Sequence, residues 1–200
     1  PQVQHKKMPF TIDIDLFTKS RVVLDVNKLS GFATTILDIV DGQKGRDYVV
    51  LVTRKDEPYE KTKCVGGQQV SGWKTGAHVY IANYTAETED KTKVWSKKFM
   101  TRVRNHCYDE GLMDEFCEGL DMLEPISEVW DEGVAKRDQF PMLLGSEKPD
   151  LNCGGPSKPF WMGMFDGTTC QNALEQEALL EKFRNPPDRR AFMGILYDSI

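Results

Sequence analysis

Residues 32–56, FATTILDIVDGQKGRDYVVLVTRKD, decide how the chain is read, because two β-rich runs here flank a glycine turn. Residues 32–40 and 48–53 are dense in Ile, Val, Thr and aromatic side chains, the types that fit a pleated, half-buried surface. Asp41-Gly42-Gln43-Lys44-Gly45 between them supplies two residues free to take positive φ. The pattern predicts a hairpin.

Working towards the N-terminus, residues 21–28 alternate, with Val22, Leu24 and Val26 on one side and Arg21, Asp25 and Asn27 on the other, as a first strand feeding that hairpin. Residues 10–17 alternate as well, Phe10, Ile12, Ile14 and Leu16 against Thr11, Asp13 and Asp15, and read as a short edge strand. Working towards the C-terminus, residues 57–62 carry charge and Pro58 and are expected to loop, and 64–70 add a short extended piece. Gly72-Trp73-Lys74-Thr75-Gly76 turns into a fourth strand at 77–84, and residues 94–103, with Trp95, Phe99 and Val103, read as a fifth. From Cys107 the apolar spacing widens to three or four (Leu112, Phe116, Leu120, Leu123), which predicts a helix ending before Pro125. Further helices are expected at 173–183 and 190–197, and the apolar cluster at 160–165 needs something to pack on.

The fold expected from this grammar is mainly β with C-terminal α: a five-stranded, OB-type Greek-key barrel spanning 21–104, with a helical and loop extension. The corresponding division is residues 1–106 for the barrel domain and 107–200 for the extension packed on it. The charge divides at the same place. Residues 1–106 carry 18 Lys+Arg against 12 Asp+Glu, a net of +6, while 107–200 carry 8 against 19, a net of −11, which together give −5. A basic half suits an anionic partner beside a region that repels it.

Several function classes are set aside on the residues alone. No run approaches the roughly 20 apolar residues of a membrane span, and the N-terminus lacks a signal-peptide core, so no membrane partner is expected. The chain starts at Pro1 without a methionine, which suggests an excised fragment. Five widely spaced cysteines without a CxxC pair fit a reducing compartment, with no metal site and no cofactor. His5, His78 and His106 sit apart, there is no GxSxG, HExxH or Walker loop, and carboxylate pairs such as Asp13/Asp15 and Asp114/Glu115 read as solvated surface. No enzyme is expected and no catalytic residue is assigned.

A barrel groove for a single nucleic-acid strand needs aromatic platforms in a basic channel. The hairpin would bring Phe32, Tyr48 and Arg54 to that groove, the basic loop after it Tyr59, and the turn before the fourth strand Trp73. The return strand adds His78, Tyr80 and Tyr84, and the following segment Lys91, Lys93, Trp95, Lys97, Lys98 and Arg102. A core position is the competing assignment for Phe32 and Trp95. Within this pattern LDIVDGQ at 37–43 and GWKTGAHVYI at 72–81 resemble the strand-and-turn segments of the Protection-of-telomeres family of OB domains. That resemblance implies sequence-selective binding of single-stranded telomeric DNA, a nuclear location at chromosome ends, and a possible protein partner through the C-terminal half. A Tudor-like barrel caging a methylated arginine is the alternative.

Overall fold

The alternation in Pro9–Thr18 (β1) makes a strand, and that strand is the terminal one of the sheet, as expected, its outer edge covered by residues 121–131. The computed structural model describes residues 9–40, 47–55, 57–85, 94–131, 157–166, 169–175, 177–178 and 181. Among these, β1 is followed by helix α1 (Val26–Val40), strands β2 (Asp47–Lys55), β3 (Tyr59–Val65) and β4 (Gln68–Thr85), helices α2 (Val94–Asp109) and α3 (Leu112–Cys117), a 3-10 turn at Ile126–Glu128, and strands β5 (Ser157–Asp166) and β6 (Thr169–Glu175). The sheet runs β1-β4-β2-β5-β6, every pair antiparallel, with β3 folded back on the first half of β4. It is mostly β, open, and not a closed barrel.

Two of the expected barrel strands are helices. In residues 32–40 the β-branched content favoured a strand, yet Leu29, Phe32, Ala33, Ile36 and Leu37 recur at three- and four-residue steps and are all buried on one side of α1. Asp25 caps this helix, accepting the Asn27 backbone N–H at 2.9 Å. Thr34 and Thr35 are accommodated by donating their hydroxyls to the carbonyls of Ser30 (3.0 Å) and Gly31 (3.2 Å). The same correction applies to 94–103: Trp95, Phe99 and Val103 are four apart, a helical spacing, and they lie in α2. Residues 21–25 form no strand, and the glycine turn expected at 41–45 falls outside the described residues.

The turn that does build a hairpin is Gly66-Gly67, at φ 58° and 83°, joining β3 to β4. Consecutive residues at positive φ match the right-handed twist of the flanking strands, and glycine adopts them without strain. β1 and β2 are both antiparallel to β4, which lies between them, so β1-α1-β2 is a split βαβ unit. The core lies on its helical side. Ile12, Ile14 and Leu16 of β1, Val50 and Val52 of β2, and Ala77, Val79 and Ile81 of β4 pack beneath α1, α2 and α3 through Leu29, Phe32, Ile36, Met100, Val103, Cys107 and Phe116. Each large apolar side chain so buried contributes about 1.5–3 kcal/mol.

Chain from beyond residue 106 completes the sheet on both sides. The apolar run 160–165 lies inside β5, between β2 and β6, and residues 173–175, expected to begin a helix, belong to β6. Helix 190–197 falls outside the described residues. The helix expected from Cys107 is split at Gly111 (φ 74°) into the end of α2 and α3, with Leu120 and Leu123 beyond it. On the outer edge of β1, Lys19 N–H donates to Asp121 O (2.9 Å), Leu123 N–H to Phe17 O (2.8 Å), Asp15 N–H to Val129 O (2.8 Å) and Asp131 N–H to Asp13 O (2.9 Å). Both edges of β1 are therefore held.

Candidate active site

Because β1 packs its even-numbered apolar residues on the helices, its odd-numbered residues face the other way, and two of them are Asp13 and Asp15. The register with β4 sets His78 directly opposite Asp13 and Gly76 opposite Asp15. Thr53 of β2 continues the His78 row on one side. On the other, the bridge between Ile14 and Trp130 places Asp131 opposite Asp13, on the same face. One row thus reads Thr53, His78, Asp13, Asp131 across four chain segments, with Asp15 one step along.

His78 Nε2 lies 3.3 Å from Asp13 Oδ1, and both side chains are about one-fifth exposed, at 21% and 22%. Its Nδ1 is buried and has no hydrogen-bond partner among the described residues. Such an atom is costly unless a ligand completes it. Lys74 donates to Asp15 Oδ2 at 2.7 Å. Burial works against its charge, but Asp15, by attraction and hydrogen bond, and then Tyr59 and Asp13 outweigh that, holding the Lys74 pKa above the ordinary lysine value. Gly76 makes room for this pair: a Cβ there would stand 2.8 Å from Asp15 Oδ1 and 3.0 Å from Ile14 O.

The segment bearing Asp131 is fastened from behind by α2. Arg104 donates through Nε to Trp130 O at 2.9 Å and through Nη2 to Ser127 O. Tyr108 donates its hydroxyl to Ile126 O at 3.0 Å and accepts the Trp130 N–H at 3.2 Å. Trp130 is itself buried, its ring 6.0 Å from that of Phe32. The backbone next to Asp131 is thus fixed by the core.

The profile of the C962R protein N-terminal AEP domain matches residues 3–157 of this chain, AEP standing for archaeo-eukaryotic primase. The chain belongs to this family. A search for individual relatives among curated proteins gives no match. AEP domains are typically primase or polymerase enzyme domains, so the match overturns the Protection-of-telomeres resemblance, the telomeric function and the expectation that the chain is no enzyme. It gives no support to the Tudor-like alternative or to a protein partner through 107–200. No helix among the described residues is long and apolar enough to cross a membrane.

Nucleotide chemistry in an AEP domain calls for a divalent cation, and the donors here fit a particular kind of site. Among the described residues no three His, Cys, Asp or Glu side chains are gathered so as to hold a metal ion by themselves. Asp13 and Asp15 nonetheless present hard carboxylate oxygens on one partly exposed face, with the Asp15 carboxylate lying over Gly76. Mg²⁺ is commonly held by one or two carboxylates, several waters and substrate phosphates, so an incomplete protein shell suits it. Asp13 and Asp15 would hold such an ion, with Asp131 as the nearest further carboxylate by register.

Of the residues assigned to a groove from sequence, those whose side chains are described lie on both faces of the sheet and on the helices. His78 and Tyr80 share the site face of β4, their ring centroids 6.0 Å apart. Phe32 is core, 7% exposed and 5.1 Å from the Phe116 ring, because its helix points it inward. Trp73 has the opposite β4 phase to His78 and lies 5.8 Å from the Arg21 guanidinium. Arg54 shares the core-side phase of Val52 and donates to Leu24 O. Tyr59 lies in β3 with Lys55 Nζ 4.7 Å over its ring, Tyr48 lies in β2 and Tyr84 in β4. Trp95, Lys97, Lys98 and Arg102 are in helix α2, and Lys91 and Lys93 fall outside the described residues. Asp13, Asp15 and Asp131 were not among the residues assigned to a site from sequence. The first two carried a signal, paired acids alternating with Ile12, Ile14 and Leu16; Asp131 carried none, since only long-range pairing brings it to Asp13.

Proposed function

We propose that this domain transfers nucleotides onto a nucleic-acid strand, making or extending a primer, with Asp13, Asp15 and His78 as its centre. The observation that carries the reading is the pair of carboxylates on a strand fixed at both edges, opposite His78 and Gly76, in a chain of the AEP family. The reaction joins the 3′-hydroxyl oxygen of the strand to the α-phosphorus of a nucleoside triphosphate, breaks the bond from that phosphorus to the β-phosphate oxygen, and releases pyrophosphate and a proton. Asp13 and Asp15 would hold a divalent cation, which would supply charge neutralisation to such an in-line displacement. Asp13 and Asp15 fix where that charge stands, because neither end of β1 is free to shift. His78, whose Nε2 lies 3.3 Å from Asp13 Oδ1, is placed to orient that carboxylate. Lys74 adds a positive charge on the same face.

Primer-synthesis and primer-extension assays with Mg²⁺ or Mn²⁺ test this. Loss of an outer-shell partner typically costs 10–100-fold, so removing a ligand itself, by Asp13→Asn or Asp15→Asn, is expected to lower activity by about a hundredfold or more. Full activity in either variant would place the chemistry elsewhere.

A further inference from the structure

We propose that Lys74 is an internal stand-in for the divalent cation: in the free protein its ammonium occupies Asp15, and it yields only when a triphosphate arrives to receive it, so that cation and nucleotide load together. This rests on the assignment of Asp13 and Asp15 as the cation-holding carboxylates. Lys74 Nζ is 2.7 Å from Asp15 Oδ2, and the lysine side chain is 14% exposed against 31% for the carboxylate. The cation is thus more covered than the anion it neutralises, unlike an ordinary surface pair in which two mobile side chains meet in water. Its position is built in. The register sets Lys74 between Phe17 of β1 and Tyr59 of β3, so its backbone is flanked by aromatic residues, and the missing side chain at Gly76 leaves Asp15 room beside it.

A bare divalent cation approaching Asp15 meets an ammonium already in contact with that carboxylate. Displacing it strands a largely buried charge without a counterion, and leaving it in place sets two cations side by side. A nucleoside triphosphate removes both difficulties, because its phosphate oxygens accept the ammonium while they complete the coordination of the incoming metal. Asp13 is not in contact with a lysine ammonium: the group opposite it is His78, whose Nε2 lies 3.3 Å from Oδ1. The lock therefore resides at Asp15 alone.

Direct Mn²⁺ binding, followed by the electron paramagnetic resonance of the free ion with and without a non-hydrolysable nucleoside triphosphate, separates the possibilities without any turnover. Removing a unit charge in contact with the carboxylate is expected to tighten binding of Mn²⁺ alone by about tenfold or more in Lys74→Met. The gain in Mn²⁺ affinity on adding triphosphate should shrink in the same variant, while Lys74→Arg, which keeps the charge, should bind Mn²⁺ alone as weakly as the wild type. Circular dichroism establishes folding, and Lys74→Gln, which retains a donor towards Asp15, is the second neutral variant if Lys74→Met fails to fold. If neutral variants bind Mn²⁺ alone no more tightly than the wild type, the stand-in role is wrong. If Asp15→Asn and Asp13→Asn leave Mn²⁺ binding unchanged in the presence of triphosphate, the carboxylate assignment itself is wrong, and the two failures are told apart.

Discussion

The two faces of β1 and β4 are made by alternate residues of the same strands, yet they are governed by different physics. On one face Ile12, Ile14 and Leu16 meet Ala77, Val79 and Ile81 under three helices and are fully or almost fully buried. On the other, Asp13 and Asp15 meet His78 and Gly76 and stay partly exposed. The apolar face fixes the backbone, and the polar face inherits that precision: two carboxylates on a strand pinned by β4 and by 121–131 cannot relax apart. The polar row is thus half of a folding row.

The sharpest way to break this comparison is to mutate neighbours. Ile14→Ala should cost about 2–5 kcal/mol of stability, because the enclosed site cannot collapse around the void. Asp13→Asn, one residue away, should leave the thermal midpoint nearly unchanged while activity falls by about a hundredfold or more. Thermal unfolding and primer extension on both variants decide it; an Asp13→Asn protein that unfolds as readily as Ile14→Ala would show that the carboxylate is structural.

Alkaline pH probes the helical side more than the site. Burial pushes the Cys107 and Cys117 thiols up to about 11 from the ordinary 9.0, and it raises Tyr108 against the opposing pull of its bond to Trp130 and of Arg104. The two thiols are neutral when protonated and their folded pKa values are raised, so their contribution is complete below about 9 and is lost as the pH climbs through about 11, with Tyr108 acting in the same direction. Denaturant midpoints should fall across that window, and Cys107→Ser with Cys117→Ser should flatten the fall. Exposed Cys64 should react with a thiol reagent in the native protein, while Cys107 and Cys117 wait for unfolding.

A smaller effect tests where the faces touch. Gly76→Ala would set a methyl 2.8 Å from Asp15 Oδ1 and 3.0 Å from Ile14 O, so either carboxylate or backbone must move. Overpacking of this kind costs about 1–3 kcal/mol. A loss of activity larger than the loss of stability, in the same two assays, is the expected outcome; unchanged activity would mean that Asp15 has room to spare.

How much of this was legible in the sequence follows from which interactions are local. The alternation of β1 was read as a strand, because the period of two is written in adjacent residues. Its place at the end of the sheet was read as well, but not the backbone of 121–131 that covers its outer edge, since only long-range pairing brings that segment there. In α1 the β-branched run outweighed the spacing of Leu29, Phe32, Ala33, Ile36 and Leu37, although that spacing, not the composition, records which side is buried. Trp95, Phe99 and Val103 in α2 carried the same overlooked four-residue step, and Gly66-Gly67 was the better hairpin signal than Gly42 and Gly45. Paired acids on an amphipathic strand look alike in sequence whether they face water or a substrate.

The finest test concerns Asp131, which owes its place to α2 rather than to its own neighbours. Tyr108 bonds both Ile126 O and the Trp130 N–H, and Arg104 bonds Trp130 O, so the segment entering Asp131 is tied to the helix by side chains from the core side. Tyr108→Phe keeps the ring and removes only the hydroxyl. Each hydrogen bond lost should cost about 0.5–1.5 kcal/mol, and the Trp130 N–H left behind adds its own desolvation penalty. If Asp131 takes part through its position opposite Asp13, activity should drop a few-fold in the folded variant, with the Mn²⁺ dependence shifted to higher concentration. Asp131→Asn combined with Tyr108→Phe should then lose little more than Asp131→Asn alone, since the tyrosine acts through that aspartate. Independent, additive losses would instead make Tyr108 a stabiliser of α2 against Ile126–Glu128, with no bearing on the polar face.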